Sequence, residues 1–128
     1  MHKDQYEKGL KVRRQVMGDA FVDKALDSTS DFTRPLQEHV TANCWGEVWT
    51  RDGLPLKVRS LITIATLAAL KASTELKGHV RGALRNGCTV EEIQEVLLHS
   101  AVYCGAPSGI EAFRAAREVI EEWQEQQG

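Results

Sequence analysis

Apolar side chains recur along this chain at the three- and four-residue spacing of α-helices, and no segment alternates as a strand does. The first helical stripe consists of Tyr6, Leu10, Arg13 and Met17. Gly18 should end that helix, because glycine readily leaves the helical conformation. A short second helix is predicted over residues 20–26, and the polar segment 27–33 is typical of a loop.

A third helix is predicted to begin at Pro35, since proline is favoured in the first helical turn. Its predicted inward stripe, at four-residue spacing, consists of Leu36, Val40, Cys44 and Val48. Trp45 and Trp49 lie one step around the helix from that stripe. The segment 51–55, which contains glycine and proline, should end the helix.

Four more helices are predicted after this break. The helix opened by Pro55 is apolar nearly all round and should therefore be buried at the centre. The next helix should be capped by Ser73 or Thr74 and should end at Asn86-Gly87. Its inward side chains would be Leu76, Val80, Ala83 and Leu84.

Two capping boxes are predicted near the C-terminus, one formed by Thr89 with Glu92 and one by Ser108 with Glu111. The inward residues of the helices they start would be Ile93, Val96, Leu97, Ala101 and Cys104, and then Ile110, Phe113, Ala116 and Ile120. The sequence thus predicts an all-α, single-domain bundle of about six to seven helices over residues 1–128.

Composition favours a soluble cytoplasmic protein. The 128 residues are 42% hydrophobic and 27% charged, which is ordinary for a globular domain. The longest apolar stretch, residues 61–70, is about half the length of a membrane-spanning helix. The polar start lacks the apolar core of a signal peptide, so we expect no membrane association.

Charge is unevenly distributed, although the net charge is only −2. Residues 51–88 carry seven basic side chains and two acidic ones, whereas residues 89–128 carry two basic side chains and eight glutamates. A pI near 6.1 argues against nucleic-acid binding. The basic segment is compatible with a solvated face, an acidic partner surface or a small anionic ligand.

The helix predicted over residues 90–103 carries Leu98 and Val102 outside its main apolar stripe. With Trp45 and Trp49 on the third helix, these side chains give more apolar surface than one core needs. We therefore expect a homo-oligomer.

Three groups of polar residues could carry chemistry. His79 lies at the border of a buried stripe, one turn after Glu75, as either a structural histidine or a general acid–base. A second group, His39, Asn43 and Glu47, forms a polar stripe that is either a solvated face or the lining of a pocket with Trp45 and Trp49. Arg59, beside much apolar surface, should pair with a carboxylate side chain or an anionic ligand.

Other common site types are not predicted. Cys44, Cys88 and Cys104 are far apart in sequence and are expected to be small buried residues in a reducing compartment. Neither a zinc spacing nor a phosphate-binding glycine loop is present, and no metal or cofactor is expected.

Three segments together resemble the gamma-carboxymuconolactone decarboxylases. They are WGEVWTR at residues 45–51, GHVRGALRNG at residues 78–87, and EEIQEVLLH from residue 91, and the likeness extends over roughly residues 5–123. The resemblance implies an all-helical fold of the alkyl hydroperoxidase D type and a homo-oligomer, a trimer or a hexamer.

The chain departs from the peroxidase branch of that superfamily. Those relatives carry a glutamate, a CxxC pair and a histidine; when their histidine is matched to His79, the other positions hold Ser60, Ala72 and Glu75. A disulfide relay needs a second thiol to resolve the first. A thiol-dependent peroxidase or a non-catalytic member of the superfamily therefore remains only an alternative.

The resemblance implies decarboxylation of 4-carboxymuconolactone to 3-oxoadipate enol-lactone, a step of the beta-ketoadipate pathway of aromatic catabolism, with no cofactor or metal. On this hypothesis His79 donates the proton and Glu47 assists it. The residues expected to bind the anionic lactone are Arg59, Arg81, Arg85, Trp45, Trp49 and His39.

Overall fold

The computed structural model describes residues 3–128, and within that range it contains seven α-helices, one π-helix and no strand. In chain order they are α1 (Lys3–Met17), α2 (Asp19–Asp27), α3 (Arg34–His39), the π-helix (Val40–Val48), α4 (Leu56–Ala69), α5 (Ser73–Arg85), α6 (Val90–Cys104) and α7 (Ala106–Gln127). The all-α prediction is confirmed. In the part of the chain described, no helix combines the length and apolar character needed to cross a membrane.

The residues group into two compact units, of which the first ends at Leu56 and the second spans Lys57–Gly128. The assignment of the whole chain to one domain stays a prediction.

In the first unit, α1 packs directly against the π-helix. Gly9 permits this approach, because a Cβ atom there would lie 2.7 Å from the backbone nitrogen of Gly46 and closer still to the carbonyl oxygen of Thr41. The amide of Gln5 donates to the carbonyl of Ala42 over 2.7 Å across the same contact. The apolar core beside it contains Val12, Val16, Met17, Val22, Trp45 and Trp49.

The π-helix corrects the stripe predicted for the third helix. Its hydrogen bonds join residues five apart, as in the 3.0 Å bond from the Trp49 amide to the Cys44 carbonyl. The wider turn rotates the four-residue series out of the core. Cys44 and Val48 are consequently exposed and Val40 is half-buried, while Trp45 and Trp49 are buried. Leu36 lies on α3, before the π-helix, and is exposed as well.

The second unit has its core between α4, α5, α6 and α7. Its buried side chains include Ile64, Leu76, Val80, Ala83, Leu84, Ile93, Leu97, Ala112, Ala116 and Val119. The inward face predicted for α5 is confirmed. The prediction that α4 is the buried central helix is wrong, because α4 buries only Ser60, Ile64 and Ala68 and leaves Ile62 and Leu70 exposed.

One of the three helix-capping predictions is confirmed and two are wrong. Thr89 and Glu92 form the expected reciprocal box, with hydrogen bonds of 2.8 and 3.0 Å. The other two caps are wrong, because their hydroxyls join helices instead. Ser73 donates to Glu111 over 2.7 Å, which links α5 to α7, and Ser108 donates to the Ala68 carbonyl over 2.8 Å.

Two side chains predicted to face inward, Cys104 and Ile110, are exposed. Cys104 is the last residue of α6 and precedes Gly105, where the chain turns into α7 with a φ of 97°. Ile110 lies within α7, and its side chain is 58% exposed.

Candidate functional site

His79 occupies the border position that the sequence pattern predicts. It is half-buried on α5 between the buried residues Gly78 and Val80, and its Nδ1 atom is buried. Glu75, one turn earlier, is exposed. A histidine that is partly desolvated but still reachable has the properties needed for proton transfer near neutral pH.

Arg59 is half-buried on α4, and the residues around it are firmly anchored. The adjacent Ser60 is 1% exposed and accepts a 2.9 Å hydrogen bond from the amide of Asn86. Two residues before Arg59, the ammonium of Lys57 lies 3.0 Å from the carboxylate of Glu92. Both partners flank the turn that joins α5 to α6, so Arg59 is presented from a backbone that is held in place.

Arg81 and Arg85 lie one turn apart on α5 and share a groove with Glu122 and Trp123 of α7. The groove holds about 150 Å³, whereas small-molecule pockets usually hold about 300 Å³ or more. Arg81 is two residues from His79, a spacing that directs side chains to different faces of a helix. The geometry of the second unit therefore separates this arginine pair from the face of His79.

The polar stripe predicted on the third helix is exposed at all three positions. Asn43 Nδ2 lies 2.8 Å from Nδ1 of His39 in a hydrogen bond, and Asn43 Oδ1 accepts a 3.0 Å bond from Gln5. His39 is thereby oriented by Asn43. Glu47 lies four residues further on, and its carboxylate is accessible to a proton or a ligand.

Trp45 and Trp49 stack on each other with ring centroids 4.5 Å apart and an interplanar angle of 27°. Trp49 also lines a cavity of about 510 Å³ in the first unit, together with residues of α1 and of the segment that follows the π-helix. Trp45 is not among the lining residues. The cavity also contains none of His39, Asn43 and Glu47, so the predicted pocket with Trp45 and Trp49 as its walls stays a prediction.

Arg13 is a buried cation whose importance the sequence reasoning missed. It is 8% exposed, and its Nη1 donates to Gln37 Oε1 over 2.6 Å and to Thr41 Oγ1 over 3.3 Å. Burial lowers the pKa of its guanidinium. Its place on the apolar stripe of α1 was the available signal, since an arginine at such a position must be satisfied inside the protein.

All three cysteines are free, but only Cys88 is buried. The prediction that Cys44 and Cys104 are buried is wrong, because both lie on outward faces of their helices. Desolvation raises the thiol pKa of Cys88, and it also raises that of Cys44, whose thiol is partly enclosed although the residue as a whole is exposed. A raised pKa reduces the thiolate fraction on which thiol chemistry depends. Within residues 3–128, no group of three or more acidic, histidine or cysteine side chains could hold a metal ion.

Comparison with known proteins assigns the chain to a family of enzymes. Residues 34–118 match the model of the carboxymuconolactone decarboxylase family. A nitrosuccinic acid decarboxylase from Metarhizium robertsii is 47% identical over 94% of this chain and 84% of its own length. A 4-carboxymuconolactone decarboxylase from Acinetobacter baylyi is 40% identical over 94% of this chain and 90% of its own length. This chain therefore belongs to the carboxymuconolactone decarboxylase family.

Proposed function

We propose that this protein catalyses the decarboxylation of 4-carboxymuconolactone to 3-oxoadipate enol-lactone. The observation that carries the proposal is the 40% identity to a 4-carboxymuconolactone decarboxylase over 94% of the chain. The half-buried His79 and Arg59 support it, because they supply a proton donor and a cation of the kinds that the reaction needs.

The reaction can use an electron sink within the substrate. The carboxylate on the ring-oxygen carbon leaves as CO2, and its bonding electrons pass through the ring double bond to the lactone carbonyl. The resulting dienolate takes one proton at the carbon next to that carbonyl, which gives the enol-lactone. The protein must stabilise the dienolate oxygen, deliver that proton and hold a dianion in a dry environment.

In this proposal His79 donates the proton or hydrogen-bonds the dienolate oxygen. Glu47 acts as a second acid–base group, and Arg59 binds a substrate carboxylate. A guanidinium suits that role because it can donate two parallel hydrogen bonds to a carboxylate.

The remaining proposed contacts are secondary to these. His39 and Trp49 would bind the lactone through a polar contact and an apolar wall, and Trp45 would hold Trp49 by stacking on it. Arg81 and Arg85 would attract the dianion electrostatically, since their groove is small and contains Glu122.

Nitrosuccinate is a second candidate substrate, favoured by the 47% identity to a nitrosuccinic acid decarboxylase. It is also a dicarboxylate with an internal electron sink. Loss of the carboxylate beside the nitro group would give a nitronate, which takes one proton on carbon. The two candidate substrates therefore require the same kinds of protein groups, and they differ in the shape of the pocket that each would need.

A competition assay separates them. Wild-type protein is incubated with freshly generated 4-carboxymuconolactone, with nitrosuccinate, and with an equimolar mixture, and the products are identified by NMR. The proposal expects kcat/KM for the lactone to exceed that for nitrosuccinate at least tenfold. A higher kcat/KM for nitrosuccinate would show that nitrosuccinate is the better substrate. If neither compound is turned over, both proposed activities are refuted.

Variants test the roles of the residues. His79→Gln should lower kcat by about 10²–10⁴-fold, the usual contribution of general acid–base catalysis, with the fold unchanged by circular dichroism. Arg59→Met should raise KM more than it lowers kcat, because a charge contact that is equally strong in the ground state and the transition state affects KM and leaves kcat unchanged. Full turnover by His79→Gln would contradict a central role of His79.

Cys88→Ser should retain turnover, whereas an enzyme that used the Cys88 thiol would lose activity with this substitution.

We also propose that the protein works as a homo-oligomer, a trimer or a hexamer. Leu98, Val102 and Tyr103 are exposed together on α6, at 54%, 76% and 78% of their surface. Exposed apolar surface of this kind favours association. Light scattering should give a multiple of the 14.3 kDa chain mass, and Val102→Glu should reduce it. A monomeric wild-type protein would refute this proposal.

A further inference from the structure

The first unit contains a cavity that the proposed mechanism uses only through Trp49. It holds about 510 Å³, within the range of about 300–1,000 Å³ typical of small-molecule sites. One wall is a face of α1 formed by Lys8, Lys11, Val12 and Gln15, which follow one another at helical spacing. The opposite wall is residues 49–56, excluding Gly53.

The charges that line the cavity favour an anion. Lys8, Lys11 and Arg51 contribute three cations, against the single carboxylate of Asp52. Within residues 3–128 neither Lys8 nor Lys11 forms a salt bridge, and both are exposed. Like charges one turn apart on a helix repel each other, and a bound anion would relieve that repulsion.

The apolar part of the lining favours an organic ligand over a simple inorganic ion. Trp49, Leu54, Pro55 and Leu56 lie on the wall opposite α1. The indole of Trp49 is held in place by its stacking on Trp45, and the ring of Pro55 fixes the backbone φ of that residue. The lining therefore combines a fixed aromatic and apolar wall with lysines whose ammonium groups can reach a ligand from α1.

We propose that this cavity binds a small planar organic dianion, namely an aromatic or unsaturated dicarboxylate. Its two carboxylates would pair with Lys8 and Lys11, and its flat body would lie against Trp49. Binding here involves none of His79, Glu47 and Arg59. It shares Trp49 with the proposed lactone contacts, so the lysine variants, and not the tryptophan signal alone, locate the site.

Phthalate tests the proposal, because it is a planar dicarboxylate without the electron sink that decarboxylation needs. Its dissociation constant is measured by calorimetry, with succinate as a flexible dicarboxylate and inorganic phosphate as an anion without an apolar body. Trp123→Phe protein leaves Trp45 and Trp49 as the remaining tryptophans, so a fluorescence change on binding reports the first unit. We expect phthalate to bind at least tenfold more tightly than either comparison anion and to change this fluorescence.

Lysine variants locate the site. Lys8→Gln and Lys11→Gln should each weaken phthalate binding about fivefold, as expected for an exposed charge pair, and the double variant more strongly. Lys24→Gln, which removes an exposed lysine of α2 outside the cavity, is the matched control and should bind as wild type. Raised salt should weaken wild-type binding.

Three results would overturn the inference. They are an affinity unchanged in the double lysine variant, equal binding of phosphate and phthalate, and an unchanged tryptophan signal at saturation. Because the readout is binding of an unreactive compound, failure of the lactone assay would leave this result unaffected, and the reverse also holds.

Discussion

The close packing of α1 on the π-helix predicts an unusual effect of adding one methyl group at Gly9. In the interior of a free helix, replacing glycine by alanine stabilises by about 1 kcal/mol. At Gly9 the new Cβ would lie 2.7 Å from the backbone nitrogen of Gly46, and closer still to the Thr41 carbonyl oxygen. Both neighbours are backbone atoms, so the two helices must separate.

The magnitude follows from the contacts that this separation disturbs. Overpacking costs about 1–3 kcal/mol. The two hydrogen bonds from Gln5 to Ala42 and Asn43 cross the same contact, and each contributes about 1 kcal/mol. After the helical gain is subtracted, Gly9→Ala should lower the free energy of unfolding by about 2–4 kcal/mol.

Urea denaturation, followed by far-ultraviolet circular dichroism at one protein concentration, measures this change. Gly53→Ala is the matched control, since no atom lies within 4 Å of a Cβ at that position. We expect the control to stay within about 0.5 kcal/mol of wild type. Equal stability of Gly9→Ala and Gly53→Ala would refute the close contact.

Three further predictions concern caps and buried charge. Thr89→Ala should lower the free energy of unfolding by about 1 kcal/mol, because it removes the capping box. Thr66→Ala is the control and should change this free energy by less than about 0.5 kcal/mol, since the Thr66 hydroxyl bonds only within its own helix. Equal effects of the two substitutions would contradict a stabilising role of the capping box. The hydrogen bond from the Thr89 amide, together with Lys57, lowers the pKa of the Glu92 carboxyl below 4.5. The ionised Glu92 therefore stabilises the folded protein fully above pH 4.5, and this stabilisation is lost as the pH falls through the lowered pKa. The gap in melting temperature between wild type and Glu92→Gln should therefore narrow below pH 4.5, and a gap that widens there would contradict the sign. Arg13→Lys should destabilise by about 1–3 kcal/mol, since an ammonium cannot reproduce the bonded guanidinium, and an unchanged urea midpoint would refute this.

Part of the second unit was predictable from sequence, because α5 and α6 follow the ordinary α-helical period. The inward residues Leu76 and Val80 of α5 and Ile93 and Leu97 of α6 are buried as expected. The capping box of Thr89 was also predictable, because it depends only on residues three apart. Such features are local, and local pattern is what a sequence displays most directly.

The first unit was harder to predict because its third helix changes type. A period of four residues selects Leu36, Cys44 and Val48, but the π-helix has hydrogen bonds between residues five apart and buries Trp45 and Trp49 instead. The change of helix type accompanies the contact between Gly9 and Gly46, which are far apart in sequence. The spacing of apolar residues within one segment cannot predict a contact between residues so far apart in the chain.

The candidate site was predictable in part. The border position of His79 and the half-burial of Arg59 agree with the pattern of their helices. The caps expected at Ser73 and Ser108 were wrong because both hydroxyls bond to other helices. The cavity beside Lys8 depends on a loop that lies against α1, and the folding of that loop onto the helix is a tertiary feature.

The rate of CO2 release from 4-carboxymuconolactone tests the central claim most directly. Wild-type protein and His79→Gln are compared at equal concentration, with CO2 and enol-lactone measured in the same sample. We predict one CO2 for each enol-lactone formed by the wild type, and a rate at least about 10²-fold lower for His79→Gln. Wild-type protein that consumes no lactone, or a variant that releases CO2 at the wild-type rate, would contradict the account.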